Sequence, residues 1–167
     1  MVKKALRKIG KERGYDVSES EKEMVFGSRF KMFDFKEMFS KSKLVFSDTD
    51  ERKVYTLSYK PDVVWKKGQL YKAVFEIEYL DPQGKLSGKR KYAIGSLMLA
   101  YLAMNEKSIK SLIFITNNLS LYREIVTFKN LMSLKYSKNT HTLCFTADDQ
   151  PSINYGLQRY IIKEWKI

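Results

Sequence analysis

Residues 111–116 read Ser-Leu-Ile-Phe-Ile-Thr, and this run limits the fold more tightly than any other stretch. It is too short for a helix, and its lack of polar alternation predicts a strand buried on both faces. Such a strand needs helices above and below it. The flanking sequence supplies them. Ile94, Leu97, Met98, Tyr101 and Leu102 recur at helical intervals and predict a helix over 87–104. Ala93, Ser96, Ala100 and Ala103 lie beside that stripe, with Gly95 expected to let the backbone approach the sheet closely. After Asn117-Asn118 a second helix is expected over 119–135, then a strand over 140–146 and a final helix over 153–165. The class is α/β.

Upstream, Val2, Ala5, Leu6 and Ile9 fall at i, i+3, i+4 and i+7, opposite Lys3, Lys4, Arg7, Lys8 and Lys11. That pattern predicts an amphipathic first helix stopping near Gly14. Met24, Phe26, Phe30 and Phe33 suggest one helix somewhere in 20–40. Leu44-Val45-Phe46 and Lys53 to Leu57 read as strands around an acidic turn, followed by extended Val63-Val64-Trp65. A turn at Lys66–Gln69 leads into a strand from Leu70 to Leu80, ended by Asp81-Pro82-Gln83-Gly84. The order expected is α, α, β, β, β, α, β, α, β, α: a three-strand meander entering a helix-connected, partly parallel portion. With no linker, low-complexity tract or internal repeat, one domain is expected. It divides into a helical region (1–43), a core (44–116) and a C-terminal α-β-α (117–167).

Several function classes drop out. One cysteine, Cys144, and one histidine, His141, cannot build a disulfide framework, a zinc ribbon or a multi-histidine metal site. His141 reads as a structural or surface residue and Cys144 as a buried core thiol. There is no GxxxxGK[ST], GxGxxG or GxSxG. No apolar run approaches the ~18–20 residues of a membrane span, and the opening residues lack a signal-peptide core, so an intracellular setting without membrane partners is expected. Lys+Arg number 31 against 19 Asp+Glu, a net charge of +12, which attracts polyanions, chiefly nucleic acid or an anionic membrane face. The Lys/Tyr/Ile-rich texture suits an archaeal or viral genome.

The chemistry-bearing residues sit where the texture is otherwise apolar. Asp62 precedes Val-Val-Trp. Glu76 and Glu78 share one face of a strand whose other face carries Phe75, Ile77 and Tyr79. A carboxylate inside a central strand is costly unless paired, coordinated or at a rim. The 66–69 turn alone would set Asp62 opposite Ala73, so bringing Glu76 level requires a bulge or a longer loop. Clustered carboxylates suit a hard divalent cation, Mg²⁺ or Mn²⁺. The plainer alternative is a half-exposed strand with Lys72, Val74, Glu76 and Glu78 outward.

The run Tyr59-Lys60-Pro61-Asp62-Val63-Val64-Trp65, then Val74-Phe75-Glu76-Ile77-Glu78, then a helix, resembles the PD-(D/E)xK nuclease superfamily of restriction endonucleases and junction resolvases. The resemblance spans residues 44–116. It implies a restriction-endonuclease-like mixed sheet with an α-β-β-β-α-β core and helices on both faces. It also implies Mg²⁺-dependent hydrolysis of DNA, taken as duplex, with a homodimer as one way to cut two strands. Asp62 and Glu76 match the metal-binding pair, while Glu78 stands at the usual lysine position, a departure. A lysine could come instead from Lys91, Lys89 or Lys60, and a helix-borne carboxylate from Glu12, Glu21 or Glu23. Lys3, Lys4, Arg7, Lys8, Lys11, Lys85 and Arg90 are the expected phosphate contacts. The departure at 78 keeps a second class open, a nuclease fold that binds nucleic acid or protein without turnover. An RNA-binding module is a third.

Overall fold

In the computed structural model of the chain, the residues described are 1–19, 61–79, 109–132, 138–146 and 152–167, with 95, 100, 104 and 149. Residues 26–30 and 55–59 are described as backbone strands alone. A five-stranded mixed sheet organises most of them. Strands β1 (Asp16–Glu19), β4 (Val63–Lys67), β5 (Leu70–Glu78), β6 (Leu112–Thr116) and β7 (Thr140–Cys144) lie in that order. The β1–β4 and β4–β5 pairs are antiparallel, and β5–β6 and β6–β7 are parallel. All five residues of β6, the apolar run, are buried.

Alternation sends Val63, Trp65, Ala73, Phe75, Ile113 and Ile115 to one face. There they join Val2, Leu6 and Ile9 of helix α1 (Val2–Glu12) in the main core. The same core holds Ile153 and Leu157 of α3 (Ile153–Leu157), and Ile161 of the π-helical turn Gln158–Glu164 that continues it. Val64, Val74, Leu112 and Phe114 are buried on the opposite face. Helix α2 (Leu119–Leu131) connects β6 to β7 and buries Leu121 and Ile125. The Asn118 side chain caps α2 by accepting from the Leu121 amide at 2.9 Å. The predicted first helix, the 70–80 strand and the 140–146 strand all form, within a residue or two of the expected ends.

Three expectations change. Residues 26–30, within the 20–40 stretch where a helix was expected, form strand β2 (Phe26–Phe30), paired antiparallel with β3 (Tyr55–Tyr59) in a separate two-stranded sheet; the rest of that stretch lies outside the described residues. Phe26 and Phe30 are four apart, a spacing shared by one helix face and one strand face, so the period could not decide. Second, the strand expected at Lys53–Leu57 overlaps β3 but lies in the separate sheet, and the strand beside β4 in the main sheet is β1. Its sequence Asp-Val-Ser-Glu has one apolar residue, and an edge strand needs no more. Residues 44–54 lie outside the described residues. Third, Gly95 is exposed, with open space around a Cβ built there among the described residues. The close approach belongs to Gly10, where a Cβ would stand 2.5 Å from Trp65 Nε1. Gly95, Ala100 and Met104 do have helical backbone, within the span predicted for that helix.

Candidate functional site at the end of the β4–β5 hairpin

The hairpin turns at Gly68, whose φ of 59° suits glycine. Lys67 faces Leu70 and Lys66 faces Tyr71. The register then shifts between Trp65 and Lys66, so that Trp65 faces Ala73 and Val63 faces Phe75. The turn closes on Lys67 and Leu70, two residues further along than a 66–69 turn, and the bulge adds a third, so the register continued from Val63 and Phe75 sets Asp62 level with Glu76 rather than Ala73.

At Asp62 the ladder ends in an unusual exchange. Its amide donates to the Phe75 carbonyl at 3.1 Å. The Ile77 amide donates not to a backbone carbonyl but to Asp62 Oδ2, at 2.8 Å. The carboxylate therefore lies close to the sheet plane, beside the backbone joining Glu76 to Ile77. Its second oxygen, Oδ1, is 2.7 Å from Lys3 Nζ of α1. Lys3 was expected at a phosphate. Instead it reaches past the first turn of its helix to Asp62.

Glu76 is 4% exposed, one of three buried polar or charged residues among those described. In β6 it faces Phe114, and Glu78, half-buried, faces Thr116. Both glutamates make interactions of their own. They project from the face opposite Phe75 and Ile77, as alternation requires. Asp62 and Glu76 thus lie level at the carboxyl end of β5, the Glu76 side chain on the face away from α1 and the Asp62 carboxylate held near the sheet plane by the Ile77 amide and Lys3. Open α/β sheets commonly bind ligands outside such ends. In type these donors fit a hard cation, since all are carboxylate oxygens and one carboxylate is buried. In number they do not complete a site. Among the described residues, no three His, Cys, Asp or Glu side chains gather closely enough to hold a metal ion.

The remaining sequence candidates divide cleanly. Lys4, Arg7, Lys8 and Lys11 are exposed on α1, Lys8 with Glu12 at 3.8 Å. Glu12 lies nine residues beyond Lys3, about 13 Å along the helix, so it does not join Asp62. Lys60, Lys85, Lys89, Arg90, Lys91, Glu21 and Glu23 lie outside the described residues. The contact that sequence reasoning missed is Lys3. Its only signal was its place in the first turn of an amphipathic helix.

His141 is structural, as expected. Its ring stacks on Trp165 at 4.2 Å and 21°. Burial, aided by the charge of Lys129, pulls the imidazole from 6.5 down to about 4. Between those values the unfolded chain binds the proton and the folded chain does not, so stability is lost as pH falls from 6.5 towards 4. Denaturant midpoints are expected to drop over that window, and His141→Phe to flatten the drop. Cys144 departs from expectation. It is half-buried and lines a surface cavity, with burial and, secondarily, the Asp149 charge raising the thiol.

No family model, curated protein or solved structure matches this chain. Among the described residues no helix is long and apolar enough to cross a membrane.

Proposed function

We propose that this chain is a Mg²⁺-dependent deoxyribonuclease with a restriction-endonuclease-like core. The observation that carries the reading is the bulged hairpin, which brings Asp62 level with Glu76 at the carboxyl end of a central strand. Supporting it are the antiparallel meander β1–β4–β5, the helical residues between β5 and β6, and the parallel return through β6. With α1 in front, and with the β2–β3 pair as an insertion between β1 and β4, these elements support the α-β-β-β-α-β order that the resemblance implies. A net charge of +12 suits a polyanionic substrate.

In this reading Asp62 and Glu76 hold the cation, with Mn²⁺ able to replace Mg²⁺. Bound there, it would activate water and offset charge at the scissile phosphate. Glu78, on the same strand face as Glu76, orients the attacking water by accepting its hydrogen bond. Lys3 takes the part of the lysine that position 78 lacks. Freed from Asp62, it donates to a non-bridging phosphate oxygen. Lys4, Arg7, Lys8 and Lys11 extend the same basic helix along duplex phosphates, where they position DNA without reading sequence.

Lys3 and a divalent cation compete for one carboxylate. Lys3→Met is therefore expected to lower the Mg²⁺ concentration for half-maximal cleavage by roughly two- to fivefold, the scale of a part-exposed ion pair. The maximal rate should fall at the same time. A Mg²⁺ titration of cleavage rate reads both.

One observation favours a second reading. Asp62 is already satisfied by the Ile77 amide and Lys3, as a strand-end cap with no metal would be. A nuclease fold that binds nucleic acid or protein without turnover fits that contact. Incubation with linear and supercoiled DNA in Mg²⁺ or EDTA separates the two. Metal-dependent cutting supports the nuclease, and salt-sensitive binding without cutting supports the binder.

A further inference from the structure

A second site lies at the far edge of the sheet. Strand β7 is the last strand, and beside it opens a cavity of about 280 Å³, far larger than the ~30 Å³ a water fills and close to the ~300 Å³ lower range of small-ligand sites. Tyr122 of α2 lines it together with Thr142 and Cys144 of β7. Tyr160, Glu164 and Trp165, from the π-helical turn and its end, line it as well. A π-helical turn is uncommon and recurs at functional sites.

The chemistry of this lining is specific. Trp165 is backed by the His141 ring, and Tyr160 lies 6.0 Å away at 37°, so a rigid aromatic wall stands ready for stacking. The Thr142 hydroxyl is buried, and no group lies within hydrogen-bond reach of it among the described residues. Glu164 brings a carboxylate to the rim, with Arg159 on one of its oxygens at 3.1 Å. Stacking surface, a hydroxyl in need of a partner and an acceptor at the mouth together suit a flat heterocycle bearing N–H donors. A fatty chain would leave both polar groups unmatched, and an extended peptide backbone would bring no flat ring to the aromatic wall.

We infer that this cavity receives a single unpaired nucleobase, with preference for bases carrying an exocyclic amino group that Glu164 can accept. The inference rests on the nucleic-acid reading for the source of the base, since a base must leave the stack to enter such a cavity.

Cys144 is the only cysteine of the chain and lines the cavity, so its alkylation reports occupancy. The full chain is labelled with a thiol reagent at alkaline pH in the presence of one of three probes. These are adenosine, a single-stranded DNA 12-mer and an abasic strand of equal length, with strand binding followed separately by anisotropy. Adenosine and the base-bearing strand are expected to slow labelling severalfold, and the abasic strand to bind without protecting. Glu164→Ala, a part-exposed position, should weaken adenosine protection roughly tenfold, as for one charge-assisted hydrogen bond. Thymidine should protect less than adenosine.

Equal protection by abasic and base-bearing strands, or labelling unchanged while the strands bind, overturns the base pocket and leaves the nucleic-acid reading standing. Protection by adenosine when neither strand binds supports the pocket and removes the nucleic-acid reading. No protection and no binding removes both.

Discussion

Glu76→Gln is expected to lower DNA cleavage by roughly a thousandfold or more, the scale seen when a group stabilising charge in a transition state is removed. DNA binding, which the proposed function assigns to exposed lysines of α1, should change little. The substitution keeps the side-chain shape within a buried position, so circular dichroism and thermal midpoint should stay near those of the parent. Asp62→Asn is expected to act similarly on cleavage. It also leaves the Lys3 ammonium without its carboxylate, so a modest stability change accompanies it. The pair of variants discriminates between roles. A strand-end cap alone predicts a stability effect at 62 and none on chemistry at 76, whereas a shared cation predicts equal losses of cleavage at both. Cleavage that survives Glu76→Gln unchanged would remove this corner as the active site.

The second large effect concerns the joint that holds α1, and with it Lys3, against the hairpin. Trp65 is fully buried, stacks on Tyr15 at 5.5 Å and meets Phe75 at 4.7 Å. Its indole N–H donates to the Leu6 carbonyl at 3.2 Å, a contact 59 residues distant in sequence. Trp65→Ala is expected to cost about 3–5 kcal/mol, the range for truncating a large aromatic in a packed core. Gly10→Ala attacks the same joint from the other side. Its Cβ would stand 2.5 Å from Nε1 and 2.7 Å from Val17 Cγ2, so overpacking of about 1–3 kcal/mol is expected. Because the new methyl meets Nε1 and Cε2 of the ring that Trp65→Ala removes, the two changes should not add. Trp65→Phe removes the indole nitrogen that the new methyl meets, and the Gly10→Ala cost should be smaller in that background. Urea unfolding of the four chains in this cycle measures the coupling. Strict additivity would mean that α1 does not rest on Trp65 as described.

How much of this was legible in the sequence depends on where burial forced the pattern. Leu112 to Thr116 is enclosed on all sides, so its composition had no freedom, and the strand was plain. In α1, Val2, Leu6 and Ile9 face the core and the lysines face away, which a 3.6 period displays directly. Strand β1 has no such signature. It pairs through its backbone at the sheet's edge, and Asp16 and Ser18 carry no apolar demand. The site shows the same division. Carboxylates at 62, 76 and 78 stand out against apolar neighbours, so the residue types were visible. Their register was not, because it depends on the turn closing at Lys67 and Leu70 and on a one-residue bulge between Trp65 and Lys66 that two lysines in succession do nothing to announce. The Lys3 contact was equally hidden, since nothing local ties residue 3 to residue 62. The cavity beside β7 was missed for a different reason. Tyr122, Tyr160 and Trp165 converge from two separate helical elements, and in an aromatic-rich chain each alone reads as core.

The central claim is that Asp62 and Glu76 share one divalent cation. Soaking crystals in Mn²⁺ and collecting anomalous data tests it most directly. The expected result is one strong peak within about 2.1 Å of an oxygen from each carboxylate, with Lys3 displaced from Asp62. A map with no peak at this corner, and Lys3 still seated on Asp62 at saturating Mn²⁺, would contradict it.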